Sequence, residues 1–421
     1  VSQENCPFHL LKPSITADRM ARIESDNTEV ERVLLRLEKL VTNSGGWLHP
    51  DLLIRCQEGN LSIELHDGDP GEKILGIPST SFLPVDEMEV SLKDGTFDFH
   101  VLRSDALSSV QHHLAETTFA LYNLTCKATF HQKNCFDFFM SACPSIGDRL
   151  LRARRLREFP DDVPNLISQD LPDRDLENFV RQGFLRSRIL SFKDETISGK
   201  QQVIVPVMDF MNHHWSGTDF RIGNYPDGRH VVRLDCRQPV EGSHECFASY
   251  STMDALDTFI KYGFIDQFVP LVRSIPLELE IGDLGKIYVS GRIGTVNFKK
   301  VVKEAQALGI FFPAMEKKEE DEVTVSHLLI PIEVSPLALR RTLVLSIGLL
   351  VKAPLEESVA RELLRNAEWT VLQKNLSFYD SLLDDINQAE QKQGPGRVLD
   401  KACELATVQK SKLEKYQRMS V

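Results

Sequence analysis

Two strand-rich blocks in this chain are separated by a helical stretch, residues 104–195, and that interruption constrains the fold more than any other feature. Between residues 46 and 86, short apolar runs at 52–54, 61–65 and 74–77 are cut by Gly, Pro and Asp, as in the turn Asp67-Gly68-Asp69-Pro70-Gly71. That pattern predicts small strands with tight turns. Strand signals resume at 203–207, 230–234 and 246–250, and again at 277–281 and 286–290. Between the blocks the period is helical, with Leu107, Val110 and Leu114 on one stripe and Leu176, Phe179 and Val180 on another. A helix is also expected over 28–41, where Val30, Val33, Leu34, Leu37, Leu40 and Val41 share a face after the cap candidates Asp26 and Asn27. After Pro336 the pattern stays helical, Gly394-Pro395-Gly396 separates the last two helices, and the charge run at 317–322 reads as an exposed loop. Strands, helical insert, strands and helical tail make an α+β chain without the βαβ alternation of a doubly wound nucleotide fold.

Composition sets the outer limits. A length of 421 residues is a prior for two or three domains. With 42% hydrophobic and 26% charged residues, the chain is neither disordered nor fibrous. A net charge of −12 argues against direct nucleic-acid binding, which draws its affinity from surplus Lys and Arg, and favours a basic protein segment as partner. The eight cysteines form no CxxC pair, so reduced thiols in a cytoplasmic, reducing compartment are expected, with nucleus or plastid left open. The run 343–351 falls far short of the roughly 20 residues of a membrane span, and no secretory signal pattern opens the chain, so a soluble monomer without a membrane partner is expected.

Several chemistries lack their motifs: there is no GxxxxGK[ST], no GxSxG and no HExxH. Asp209, His213 and His214 could ligate a metal, but a third convergent ligand is not identifiable, so a polar turn and no metal are expected. The five arginines between Arg149 and Arg157 read as a solvated helix face. The informative region is 185–265, with Ser187-Arg188, then Pro206-Val207-Met208-Asp209 leading to Asn212-His213, then Tyr250, and twelve residues later Tyr262-Gly263-Phe264. An Asn-His pair after an apolar strand, with two tyrosines at a fixed offset, is an unusual polar set on apolar supports.

In these residues the sequence resembles the SET-domain protein methyltransferases of the Rubisco large-subunit lysine methyltransferase type, whose SR pair, P..D..NH segment, strand-end Tyr and YGF all occur here in order. The resemblance extends to Glu58-Gly59-Asn60, where the family has a glycine motif, and to a C-terminal lobe carrying Leu339-Arg340-Arg341 and Asn366-Ala367-Glu368. It implies a SET-type β fold of small sheets with a helical insert and a mainly helical substrate-binding lobe. The implied divisions are an N-terminal helical segment at 1–45, SET parts at 46–103 and 196–270 around an insert at 104–195, and the lobe at 271–421. It further implies S-adenosylmethionine as cofactor, held around Glu58, Asn60, Arg188, Asn212, His213 and Tyr250. Tyr262 and Tyr250 would be catalytic, Ser187 and Asp209 would shape the acceptor channel, and a protein substrate would dock on the lobe. Lysine is the expected acceptor, with histidine as an alternative. The chain departs from the pattern at Leu61, where the family has a second glycine, and at His214, Ser251 and Ala255, so a scaffold with weakened cofactor binding is the competing expectation.

Overall fold

The computed structural model describes residues 21–65, 72–93, 96–130, 143–154, 185, 187–192, 201–224, 230–235, 243–250, 253–290, 314–332, 337–394 and 396–420. Helix α1, Thr28–Asn43, forms where the 3.6-residue stripe predicts it. Of the two cap candidates Asn27 does the capping, its side-chain oxygen accepting from the Glu29 and Val30 amides at 2.9 and 3.4 Å. Val30, Leu34, Leu37 and Val41 are buried, each contributing about 1.5–3 kcal/mol by removal from water. Ordering of the chain opposes most of that gain.

The two strand blocks join directly. His230–Asp235 runs antiparallel to Lys73–Pro78, with Val232 opposite Ile77, and together with Arg221–Asn224 and Trp47–Leu48 they make one four-stranded sheet. Gln201–Ile204 likewise pairs with Leu83–Pro84 on one side and Ile189–Phe192 on the other. One β module is thus interrupted in sequence and closed in space. A separate sheet holds Arg22–Ser25, Leu52–Gln57 and Asn60–Leu65. The hairpin Met88–Lys93 with Thr96–Val101 was not among the expected strands, and it packs against helix α2, Ser109–Phe130, where the Asn123 side chain bonds both the amide and the carbonyl of Phe97. The stretch around Leu176, Phe179 and Val180 and the turn at 67–71 lie outside the described residues.

There are two apolar cores, and after Ala248 the chain leaves the first for the second. The first unites α1, α2 and both strand blocks. The second unites helix α3 (Pro144–Arg152), helix α4 (Ala255–Tyr262) and the C-terminal helices α5 (Leu337–Leu350), α6 (Glu357–Gln393) and α7 (Arg397–Ser420). In that core Tyr379, Leu382 and Ile386 of α6 are buried with Leu405, Leu413 and Tyr416 of α7. The charge run at 317–322 is exposed, as expected, but it is a hairpin tip rather than an irregular loop, joining Ala314–Glu319 to Glu322–Ser326.

The arginine-rich stretch departs further from expectation. Arg154 is buried, with Nη2 on both oxygens of Asp254 at 2.6 and 2.7 Å and Nε on Asp257 at 2.8 Å. Arg273 joins it, Nη2 lying 2.8 Å from Asp257, and Gln409 of α7 donates to Asp254 at 2.7 Å. Arg149 pairs with Asp385 and lies over the Phe378 ring of α6. Arg149 and Arg154 thus tie the helical insert to α4 and the C-terminal lobe, whereas Arg152 faces water as expected and Arg155 and Arg157 lie outside the described residues.

Candidate active site

The site is built at the seam of the two cores. After Ile204 the chain passes through Val207, whose φ of 70° is a strained left-handed value for a β-branched residue, into a single 3-10 turn, Met208–Phe210. Val205, Met208, Phe210 and Met211 are buried in the first core, and that anchoring leaves Asp209 as the turn's polar group. Asp209 Oδ2 accepts from the Tyr122 hydroxyl at 2.5 Å. The Arg188 guanidinium lies 5.3 Å from the Tyr122 ring centroid and donates to Ser187 Oγ at 2.9 Å. Burial pushes the Asp209 carboxyl up to about 6, against the opposing pull of the Tyr122 hydrogen bond and the Arg188 charge.

The two tyrosines reach the seam from opposite sides. Tyr250 follows the short strand Ala248–Ser249 and packs on the first core, and its hydroxyl donates to the Met211 carbonyl at 2.5 Å. Tyr262 ends α4, which stands on the second core. Asp254 and Asp257 close a capping box at the start of that helix, and Gly263, with a φ of 78° that favours glycine, ends it directly after Tyr262. The two rings meet at 4.9 Å and 56°. Burial, followed by the neighbouring Tyr262 phenol, pushes the Tyr250 hydroxyl above its ordinary range, so it stays protonated and acts as a donor to Met211. Ser187, Arg188, Asp209, Phe220, Tyr250 and Tyr262 all line one cavity of about 190 Å³, with Lys261 beside them. That volume is below the roughly 300–1,000 Å³ of pockets that hold whole drug-sized ligands, and it suits a single side chain.

The remaining expected residues lie outside this cavity's lining. Asn212 Nδ2 donates to the Leu61 carbonyl at 3.1 Å and to Glu245 Oε1 at 2.6 Å. Both neighbours are acceptors, which fixes the amide orientation and leaves Asn212 Oδ1 to accept from a ligand donor. Burial pushes the Glu245 carboxyl up despite the Asn212 hydrogen bond. His213 is buried as a strut: Nδ1 takes the Tyr250 amide at 3.2 Å, and Nε2 faces Asp266 Oδ2 at 3.4 Å. Burial raises the Asp266 carboxyl, but the His213 contact and the Phe268 amide outweigh it and hold the group below its usual range.

Glu58 and Asn60 are exposed at a tight turn in which Glu58 and Gly59 both have positive φ. A Cβ on Gly59 would come within 2.5 Å of the Thr125 carbonyl, so glycine lets this turn press onto α2. The Glu58 amide is committed to Asp26 at 2.7 Å. Leu61 therefore reaches the Asn212 cluster through its carbonyl, while its side chain packs on the first core. Ser251 lies outside the described residues, and Ala255 is buried at the first position of α4, with Asp254 serving as the cap.

Sequence reasoning did not single out Tyr122, Phe220, Glu245, Lys261 or Asp266. Tyr122 carried a usable signal, since it stands eight residues after Leu114 on the same helical stripe. Phe220, Glu245 and Asp266 gave none, because their partners are distant in the chain, and Lys261, although next to Tyr262 in sequence, is placed at the cavity only by the fold. Among the described residues no group of three or more His, Cys, Asp or Glu side chains could hold a metal ion, and no helix is long and apolar enough to cross a membrane.

No protein-family model and no curated protein matches the sequence. Among solved structures, the chain is similar to the SET domain of LSMT bound to lysine and AdoHcy, with a TM-score of 0.42 and 14% identity over 92% of this chain and 90% of that one. It is similar to the same domain bound to methyl-lysine and AdoHcy at 0.40 and 14%, over 92% and 91% of the two chains. A third similar structure is Rubisco LSMT bound to AdoMet, at 0.38 and 14%, again over 92% and 91%. At this identity and these TM-scores the likeness alone carries no argument about chemistry.

Proposed function

We propose that the protein is an S-adenosylmethionine-dependent protein N-methyltransferase of the SET type, acting on a lysine side chain. The observation that carries the reading is the meeting of Tyr250 and Tyr262, which stand on different cores, at a cavity sized for one side chain and also lined by Ser187, Arg188 and Asp209. When bound, the cofactor supplies an electrophilic methyl group on a sulfonium. Asn212 Oδ1 and the Glu245 carboxylate are the groups that fit its cationic and N–H donor character, with the Leu61 carbonyl beside them. Glu58, Asn60, Arg188 and His213 are assigned supporting roles around it. The solved structures similar to this chain include ones bound to AdoMet, AdoHcy and lysine, which is consistent with the assignment.

An amine acceptor must arrive neutral. With an unperturbed pKa near 10.4, roughly one lysine in 2,500 is neutral at pH 7, equivalent to about 4.6 kcal/mol. The aromatic wall of Phe220, Tyr250 and Tyr262 disfavours the ammonium by desolvation, and the Arg188 and Lys261 cations add repulsion. Tyr250, whose O–H is donated to the Met211 carbonyl, can only accept from the incoming N–H, and the Tyr262 phenol oxygen can accept the amine's other N–H, which leaves the nitrogen lone pair free to point in line. Asp209 and Ser187 line the same channel. A protein segment would dock on the C-terminal lobe.

A second reading, a protein-binding scaffold with weakened cofactor affinity, is favoured by the commitment of the Glu58 amide to Asp26 and by the side chain at Leu61. Calorimetric titration with S-adenosylmethionine separates the two. Micromolar affinity supports the enzyme, and no heat at millimolar cofactor makes the scaffold correct. Tyr262→Phe should lower methyl transfer about 10²- to 10⁴-fold with cofactor affinity changed only a few-fold. Unchanged turnover would remove Tyr262 from its role.

A further inference from the structure

Among the described residues, the cavity's lining holds more cations than acids, in a chain that is acidic as a whole. The protein has a net charge of −12, yet the described side chains lining the cavity include two cations, Arg188 and Lys261, and one acid, Asp209. That acid is turned to the Tyr122 hydroxyl and the Arg188 side, away from Lys261's ion-pairing reach among the described contacts. Lys261 is the exposed penultimate residue of α4, its Nζ 5.1 Å from the Tyr262 ring centroid, and it makes no ion pair with any described residue. A cation left unneutralised beside the acceptor channel acts on whatever flanks the side chain that enters it. We infer that Lys261 makes this site select protein segments that carry an acidic residue next to the modified side chain, an inference that rests on the methyltransferase reading.

An acidic neighbour can pair with Lys261, whereas a basic one meets like charge. The pair forms at an exposed rim, where such contacts are modest, so the preference for glutamate over glutamine beside the acceptor should be about three- to fivefold. The long-range field of the chain still favours basic segments further out. Selection at the rim is therefore local, and it should collapse near 1 M salt, where the screening length falls to about 3 Å.

The test uses the full chain and short peptides with a central lysine flanked on both sides by glutamate, glutamine or lysine. Binding is read by fluorescence anisotropy and transfer by labelled S-adenosylmethionine. The expected order in both readouts is glutamate above glutamine above lysine at low salt, levelled in Lys261→Gln and reversed in Lys261→Glu, a swing of about tenfold between the wild-type chain and the reversal. Equal or basic-favouring rates in the wild-type chain overturn the inference, as does an acidic preference that survives Lys261→Glu. Transfer without charge preference overturns the Lys261 role and keeps the methyltransferase reading. Charge-selective binding without transfer does the converse, and neither binding nor transfer to any peptide overturns both.

Discussion

Two buried assemblies in this protein use the same ingredients, arginine and aspartate, to opposite ends. Around Asp254, two guanidiniums, Arg154 and Arg273, face two carboxylates within hydrogen-bond distance, and Gln409 closes the cluster. Burial raises the Asp254 carboxyl, but the Arg154 and Arg273 charges overcome that and hold it well below the usual carboxylate range. At the cavity, Asp209 has a phenol for its partner, and burial carries it to about 6. Neutralised charge locks a helix in place, whereas incompletely neutralised charge remains responsive to pH and ligand. The first cluster fixes the start of α4, and the second surrounds the channel at its end.

The largest test of this contrast is Arg154→Ala. It leaves Asp254 and Asp257 facing Arg273 alone, and breaking a buried pair of this kind costs about 3–5 kcal/mol. Denaturant titration should show that loss, and a change below 1 kcal/mol would mean that the cluster does not hold α4.

Next in size is the pH dependence from Asp209. Its folded pKa, about 6, lies above the ordinary value of 3.8, so the folded state binds the proton more tightly than the unfolded one. The stability it contributes is present below pH 3.8 and is lost as pH rises through 6, by up to about 3 kcal/mol. Asp209→Asn should flatten that part of the stability curve, and an unchanged curve would assign the slope to other groups. The smallest effect belongs to Tyr122→Phe. Deleting the hydroxyl that favours the charged form should move the Asp209 fall upward by about one pH unit, or about 1.4 kcal/mol. A downward move would contradict the geometry.

Local periodicity made part of this molecule readable. The stripe of α1 and its Asn27 cap, the apolar flanks of Asp209 and the Tyr250–Tyr262 offset follow from neighbours a few residues apart. The alternation along Met88–Lys93 was equally present, with Met88, Val90 and Leu92 buried in turn, although no strand was expected there. Arg149 and Arg154 departed from the solvated face expected of them for a different reason. A periodic pattern records which residues share a helix face but not which charges approach it, and the partners of Arg154 arrive from residues 254, 257 and 273.

By itself the sequence determined that strands would be interrupted by helices, that tyrosines and an Asn-His pair would stand on apolar supports, and that the chain would be acidic, because these depend on residue order and composition. Tertiary structure decided that the two strand blocks share a sheet and that Tyr250 and Tyr262 meet across two cores. It also decided that His213 braces Tyr250 against Asp266 and that Lys261 stands at the channel. The physical reason is that side-chain proximity and desolvation are set by how separate segments pack, and a titratable group takes its charge from that environment rather than from its place in the chain.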